Sequence, residues 1–91
     1  MLQAKTSNQF KKDFKAAQKR SKDISKLKIV MRLLVEEKPL ETGHRDHPLT
    51  GNYKGRRECH IESDWLLVYR IDKKDDIIVF ERTGTHSDLF E

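Results

Sequence analysis

The sequence has little of what would place it outside the cell or in a membrane. It has one cysteine, Cys59, which cannot form an internal disulfide and fits a reducing compartment. We expect this thiol to be a half-buried strand residue and not a nucleophile. No apolar run approaches the roughly 18 to 20 residues of a membrane span, and residues 1–10 lack the apolar core of a signal peptide. We therefore expect a soluble cytoplasmic protein that has no membrane partner.

Proline and glycine are also scarce, and most of them lie in one segment. The chain has two prolines and four glycines, and five of these six residues fall between Lys38 and Gly55: Pro39, Gly43, Pro48, Gly51 and Gly55. Such a density of breakers predicts an extended loop and no regular element. Loops of this length in compact domains are often functional.

Charge is abundant but unevenly distributed. Residues 1–38 contain 11 Lys and Arg against 4 Asp and Glu, whereas residues 39–91 contain 8 against 11. A basic half of this kind can attract a polyanion such as RNA, or an acidic protein partner. The alternative is that the lysines simply form the solvated faces of helices.

The length of 91 residues is enough for one domain, residues 1–91, and not for a second core.

Two helices are predicted in the basic half. After a short strand at Leu2 to Lys5, Thr6 and Gln9 have the spacing of a capping box, and a helix should run from about Ser7 to about Arg20. Asp23 is a good N-cap for a second helix, which should end before Pro39 and carries a broad apolar stripe. The short polar link between the two helices predicts an antiparallel hairpin.

Three strands are predicted in the second half, over Arg56 to Glu62, Asp64 to Ile71, and Asp76 to Arg82. Short turns join them, so antiparallel pairing of neighbours is the simplest topology. The middle strand has apolar residues on both faces, as expected of a central strand. We therefore predict an α+β fold in which a two-helix hairpin packs on one face of an antiparallel sheet, and the opposite face is partly polar.

Histidine, arginine and aspartate suggest chemistry on that opposite face. His60 alternates with Cys59 and Ile61, so if these two face the core, His60 faces the open side with Glu58 and Glu62. An exposed, paired imidazole is suited to proton transfer. Metal-free RNA cleavage needs a base for the 2′-hydroxyl, a cation for the phosphorane and an acid for the departing 5′-oxygen.

The turn after the last strand contains a further pair. Arg82 and His86 are separated by Thr83, Gly84 and Thr85, and a glycine there can let both side chains address one phosphate. His47 lies in the long loop. For any one of these histidines the alternative is an ordinary surface residue.

Three stretches together resemble the YafQ branch of the RelE-like toxins: Asp46 to Gly51, Arg57 to Tyr69, and Arg82 to Phe90. The similarity extends upstream to Ala17 to Arg20 and Lys26 to Lys28, so it covers nearly the whole chain. The resemblance implies the RelE-like microbial RNase fold and the toxin of a type II toxin-antitoxin system. Such a toxin is an endoribonuclease that cuts mRNA on the translating ribosome, needs no cofactor, and is neutralised by a cognate antitoxin.

By position, the resemblance also implies site residues. The catalytic residues would be His47, His60, Asp64, Arg82 and His86, while Trp65 and Phe90 would support the site and bind substrate. We expect His86 to be the general acid, and His60 or His47, paired to Asp64, to be the base.

Other interpretations remain open at this stage. A ParE-like member of the superfamily would poison a DNA-processing enzyme, and a non-catalytic RNA-binding module would stack bases on Trp65 and Phe90. Trp65 can equally be a plain core residue. His44 lies outside the matched pattern, and a zinc site built from it with His47, Cys59 and His60 is a weak alternative, since Cys59 and His60 should point oppositely. We therefore expect no metal.

Overall fold

A five-stranded sheet forms the centre of the computed structural model, which describes residues 1–90. Its strands are β1 (Gln3–Thr6), β2 (His47–Pro48), β3 (Arg57–Glu62), β4 (Trp65–Asp72) and β5 (Ile77–Gly84), in the spatial order β1-β5-β4-β3-β2. The three long strands pair antiparallel through short turns, as predicted. β1 instead pairs parallel with β5, so the prediction of a wholly antiparallel sheet is wrong at this edge. No hairpin joins these two strands, so no turn fixes their relative direction.

The helices are α1 (Asn8–Lys19), α2 (Ile24–Val35) and the short α3 (His86–Phe90). Asp23 caps α2 as predicted, but the cap of α1 is Ser7, whose Oγ accepts from the backbone N–H of Phe10 at 2.9 Å. The Thr6–Gln9 capping box is wrong because Thr6 still belongs to β1 and Gln9 donates to Asp13. Within residues 1–90 no helix combines the length and apolar character needed to cross a membrane.

The segment from Lys38 to Gly55 is more ordered than the predicted loop. It contains two 3₁₀ turns, Thr42–His44 and Gly51–Tyr53, and between them the two-residue strand β2. β2 pairs with β3, and the backbone N–H of Leu49 donates to the carbonyl of Arg56 at 2.9 Å. The strand is too short to show a periodic pattern and ends in a proline, so the sequence gives no signal for it.

The helices α1 and α2 cover one face of the sheet, which we call the covered face. Side chains from both helices and from β3, β4 and β5 form the main core there, including Phe10, Leu27, Val30, Cys59, Leu67, Tyr69, Ile78 and Phe80. Cys59 is fully buried, and not half-buried as expected. Burial raises the pKa of its thiol to about 12, so it does not act as a nucleophile at neutral pH.

The other side of the sheet, which we call the open face, has a second and smaller apolar cluster. Leu66 and Val68 of β4 pack there with Leu89 of α3 and the partly buried Leu49. The central strand is therefore covered on both sides, as its sequence predicts. α3 lies over the end of the open face, and this contact brings the start of α3 to the turn between β3 and β4.

Candidate active site

Two histidine rings meet on the open face where α3 begins. His60 lies on β3 opposite Leu66 of β4, and His86 is the first residue of α3. Their ring centroids are 5.9 Å apart. As predicted, His60 faces away from Cys59 and Ile61, which lie in the main core. It is not an exposed side chain, however: only 12% of it is accessible, because His86 and Glu58 lie against it.

Asp64 orients His86. One carboxylate oxygen of Asp64 accepts from the backbone N–H of His86 at 3.0 Å and lies 2.8 Å from the ring Nδ1. The backbone hydrogen bond from His86, followed by the ring hydrogen bond, lowers the pKa of Asp64. An ionised carboxylate only accepts, so Nδ1–H is the donor and Nε2 is left for a substrate. The predicted pairing of Asp64 with His60 or His47 is therefore wrong, because the β3–β4 turn abuts the start of α3.

Glu58 is the carboxylate partner of the other two histidines. Its Oε1 lies 3.4 Å from Nε2 of His60 and 3.4 Å from Nε2 of His47. The side chain is only 5% exposed, and β2 places His47 directly opposite Glu58 in the sheet register. The sequence predicts Glu58 only as a neighbour of His60 on the open side. Its position two residues before His60 on a strand was the available signal.

Glu62, expected beside His60 on the open face, points elsewhere. A register shift between His60 and Glu62 interrupts the alternation, and the carboxylate of Glu62 pairs with the ammonium of Lys26 on α2 at 2.9 Å. Regular alternation cannot predict a bulge, so this expectation is wrong.

The loop that carries His47 is held from the covered side. Asp46 accepts from the Tyr69 hydroxyl at 2.6 Å and from Nε of Arg57 at 3.2 Å. His44, which the sequence pattern left outside the site, has its Nδ1 2.8 Å from the backbone carbonyl of His60. A carbonyl only accepts, so Nδ1–H of His44 donates. His44 therefore supports the strand position of His60.

Arg82 reaches the open face through a bulge. Val68 pairs with Arg82 and Tyr69 with Phe80, which leaves Glu81 as the additional residue. Without this bulge Phe80 and Arg82 would share a face; with it, Phe80 enters the main core and Arg82 lies beside Val68.

The guanidinium of Arg82 is bound by Asp13 of α1. Its Nε and Nη2 donate to the two carboxylate oxygens at 2.8 and 3.3 Å. The hydrogen bond to Asp13 is the main cause that raises the pKa of Arg82, so this side chain stays cationic. The expectation that Arg82 and His86 bind the same phosphate stays a prediction.

The two aromatic side chains expected to bind substrate differ. Trp65 is 1% exposed, its indole N–H donates to Thr83 Oγ1 at 2.9 Å, and the Lys22 ammonium lies 5.8 Å from the ring centroid. It has no free face for a base, so the stacking role for Trp65 is wrong and the core alternative holds. Phe90 is 38% exposed and packs edge-on against Tyr53, with ring centroids 5.2 Å apart.

One group of side chains has the spacing of a metal site. Ligand atoms of His47, Glu58 and His60 all lie within 4.8 Å of one another. Two imidazoles and a carboxylate suit zinc or copper. The zinc set considered from the sequence is different and does not form, because Cys59 is buried on the covered face.

The known family and proteins that this chain resembles are bacterial toxins. Residues 2–91 match the family described as the bacterial toxin of type II toxin-antitoxin system, YafQ. The mRNA interferase toxin YafQ of Escherichia coli K12 is 51% identical over 85 residues, which cover 92% of this chain and 90% of that protein.

Solved structures are also similar. The crystal structure of YafQ from E. coli BL21(DE3) has a TM-score of 0.93 and 46% identity, with 100% of both chains covered. YafQ in the E. coli DinJ-YafQ complex gives 0.91 and 47%, also over 100% of both chains. A metal-bound toxin from Helicobacter pylori gives 0.93 and 43%, over 99% of this chain and 100% of that one. The chain has the RelE-like fold of these toxins and belongs to the YafQ family of type II toxin-antitoxin systems.

Proposed function

We propose that this chain, acting as one domain over residues 1–91, is a cytoplasmic endoribonuclease that cleaves mRNA on the translating ribosome. The relatives named mRNA interferase support the activity and the substrate class. The chemistry is proposed from the open face. There, acid-base groups are arranged as RNA cleavage by the 2′-hydroxyl requires, so no resident metal is needed.

The observation that carries the proposal is the facing pair of imidazoles. The rings of His60 and His86 are 5.9 Å apart, and each has its own carboxylate, Glu58 for His60 and Asp64 for His86. A carboxylate on one ring nitrogen fixes the ring and its tautomer, and leaves the other ring nitrogen for the substrate. Two such units on opposite sides of a phosphodiester can remove one proton and supply another.

In the proposed step, Nδ1 of His60, the ring nitrogen that does not face Glu58, is the base. It takes the proton from the 2′-hydroxyl while that oxygen forms a bond to phosphorus. The bond from phosphorus to the 5′-oxygen then breaks, and the imidazolium of His86 gives its Nε2 proton to that oxygen. The products are a 2′,3′-cyclic phosphate and a 5′-hydroxyl. His47 shares Glu58 with His60 and is the alternative base.

Arg82 and Phe90 have supporting roles in this proposal. Arg82 is cationic, and 29% of its side chain is exposed. If the guanidinium turns away from Asp13, its charge can stabilise the negative charge that develops on the phosphorane. Phe90 is the exposed aromatic beside His86, with ring centroids 6.3 Å apart. It is suited to stack on a base next to the cleaved bond.

The second partner in the proposal is an antitoxin protein. YafQ of E. coli is found in a complex with DinJ, which supports a cognate antitoxin for this chain. The excess of basic residues in 1–38 favours an acidic segment of that partner over α1. Charge of this kind chiefly raises the association rate, so association should slow with added salt.

Cleavage on translating ribosomes tests the function. We expect His86→Ala to lower the single-turnover rate by about 10² to 10⁴, as is typical for the loss of a general acid. Ser87→Ala is the matched control, because Ser87 is the next residue on the same helix and is exposed. Ribosome-free RNA should be cut far more slowly by the unchanged chain. Wild-type cleavage by His86→Ala would remove the catalytic assignment.

A further inference from the structure

The helix that carries His86 is too short to define its own position. α3 has five residues, and helices shorter than roughly 12 residues are marginal by themselves in water. Its contact with Asp64 is an exposed pair, with 56% of the His86 side chain and 62% of the Asp64 side chain accessible. A single exposed pair contributes little rigidity when it acts alone. Something else must therefore hold the first turn of α3.

Asp88 closes that first turn. Its Oδ2 accepts from the backbone N–H of Thr85 at 3.0 Å, while Oγ1 of Thr85 accepts from the backbone N–H of Asp88 at 3.1 Å. This reciprocal arrangement is a capping box in which Thr85 is the N-cap and Asp88, three residues later, is the N3 residue. His86 lies inside the box, so the capping box sets the direction of its backbone.

Arg20 attaches the capping box to the rest of the protein. It is the C-cap residue of α1, and its Nη1 donates to the same Oδ2 of Asp88 at 2.7 Å across 68 positions of sequence. Its Nη2 lies 3.5 Å from the other carboxylate oxygen. The hydrogen bond from Arg20 is the main cause that lowers the pKa of Asp88 to about 2, so Asp88 is ionised and accepts from both sides.

Gly84 makes room for this arrangement. A Cβ at Gly84 would lie 2.9 Å from Oδ2 of Asp88 and 3.0 Å from its Cβ, which is closer than real atoms allow. The sequence predicts that Gly84 lies in a turn that joins Arg82 to His86. In the structure Gly84 ends β5, and the absence of a side chain lets Asp88 pack against the strand.

We propose that Arg20 and Asp88 form a clamp that positions His86 for catalysis. The proposal rests on the function assigned above to His86. Arg20 is then a positioning residue that acts through Asp88, and its removal lets the first turn of α3 loosen without disturbing the main core. Misplacement of a catalytic group by about 1 Å can lower a rate by about a hundredfold.

The test compares Arg20→Ala with Lys19→Ala, which removes the same charge from the neighbouring exposed residue of α1. In steady-state cleavage on ribosomes we expect Arg20→Ala to lower kcat at least about tenfold and to leave KM within about twofold of its original value. Lys19→Ala should change neither constant. Arg20→Lys should recover part of the rate, since an ammonium keeps the charge and loses the fork. Arg20→Ala combined with Asp88→Ala should be no slower than Asp88→Ala alone.

A spectroscopic measurement separates this clamp from the proposed function. Ring-nitrogen NMR resonances of His86, assigned by their absence in His86→Gln, should shift or broaden in Arg20→Ala while those of His47 stay unchanged. Unchanged His86 resonances, or a higher KM with unaltered kcat, would overturn the clamp and make Arg20 a residue that binds RNA. Failure of the proposed function is a different result, in which His86→Gln cleaves at the wild-type rate.

Discussion

The covered and open faces of the sheet are built from the same three strands but are stabilised in different ways. On the covered face, side chains such as Leu67 and Phe80 are fully buried against the two helices. On the open face only a small cluster is apolar, and polar side chains are held in pairs. Two of these pairs join elements distant in sequence: Arg82 with Asp13, and His86 with Asp64.

Because successive residues of a strand point to opposite faces, residues that stabilise the fold alternate with residues that form the candidate site. Neighbouring residues Cys59 and His60 illustrate it, since the first is a core residue and the second a candidate base. A change on the covered face should lower the free energy of unfolding. A change to a polar side chain of the open-face site should lower the cleavage rate and leave the fold intact.

The largest expected effect is on the covered face. Phe80→Ala should lower the free energy of unfolding by about 3 to 5 kcal/mol, because it removes a fully buried ring and leaves a cavity. That is a large part of the stability of a small domain. Ile29→Ala is the control, because Ile29 is 59% exposed and should cost less than about 0.5 kcal/mol. Urea unfolding measures both, and a similar loss for the two variants would contradict the distinction.

The second effect is on the open face. Glu58→Gln keeps the shape of the side chain but removes the carboxylate between His47 and His60, so single-turnover cleavage should slow about 10- to 100-fold. The melting temperature should change by only a few degrees. Glu62→Gln, four residues along the same strand, should leave the rate unchanged because Glu62 pairs with Lys26. Equal rates for the two variants would contradict a catalytic role for Glu58.

Metal ions should act as inhibitors. Zinc or copper bound by His47, Glu58 and His60 would hold both candidate bases and their carboxylate partner, so added metal should slow cleavage several-fold. EDTA should restore the rate, and EDTA alone should leave the untreated enzyme unchanged on ribosome-free RNA. Cleavage that requires one specific ion after EDTA treatment would remove the histidine mechanism from first place.

The smallest effect concerns Asp88 and pH. The pKa of its carboxyl falls from an ordinary 3.8 to about 2 in the folded protein. A lowered pKa stabilises the fold above about pH 4, and this contribution disappears as the pH falls through about 2. Since the pair is partly exposed, it should be worth less than about 1 kcal/mol. Urea unfolding should show Asp88→Asn less stable than the unchanged protein at pH 6, with a much smaller difference at pH 2. The same difference at both pH values would contradict this account.

Much of the fold could be predicted from the sequence because its signals are local. Helix α2 follows a good N-cap and has an apolar stripe, and β3, β4 and β5 are apolar runs joined by short turns. The direction of β1 and the existence of β2 could not be predicted, because both depend on pairing with distant strands. The bulge at Glu81, which sends Arg82 to the open face, is likewise invisible to regular alternation.

For the candidate site, the sequence predicts which residues take part better than it predicts which of them contact one another. His60 faces the open side as predicted. The pairing of Asp64 with His86 and that of Glu58 with His47 could not be predicted, because each depends on how separate segments meet in space. The sequence around Trp65 does not distinguish a core indole from one that stacks on a base, whereas the structure shows its indole N–H bound to Thr83. The positions of His44 beside the His60 backbone and of Arg20 beside Asp88 required the folded chain.

Analysis of the ends of the cleaved RNA tests the central claim most directly. If His60 and His86 transfer protons to and from the RNA itself, a single 2′-deoxy substitution at the cleaved position should abolish cleavage, because the attacking hydroxyl is missing. The products of an unmodified RNA should have a 2′,3′-cyclic phosphate and a 5′-hydroxyl. Cleavage of the 2′-deoxy substrate, with a 5′-phosphate on the product, would show attack by water and contradict the account.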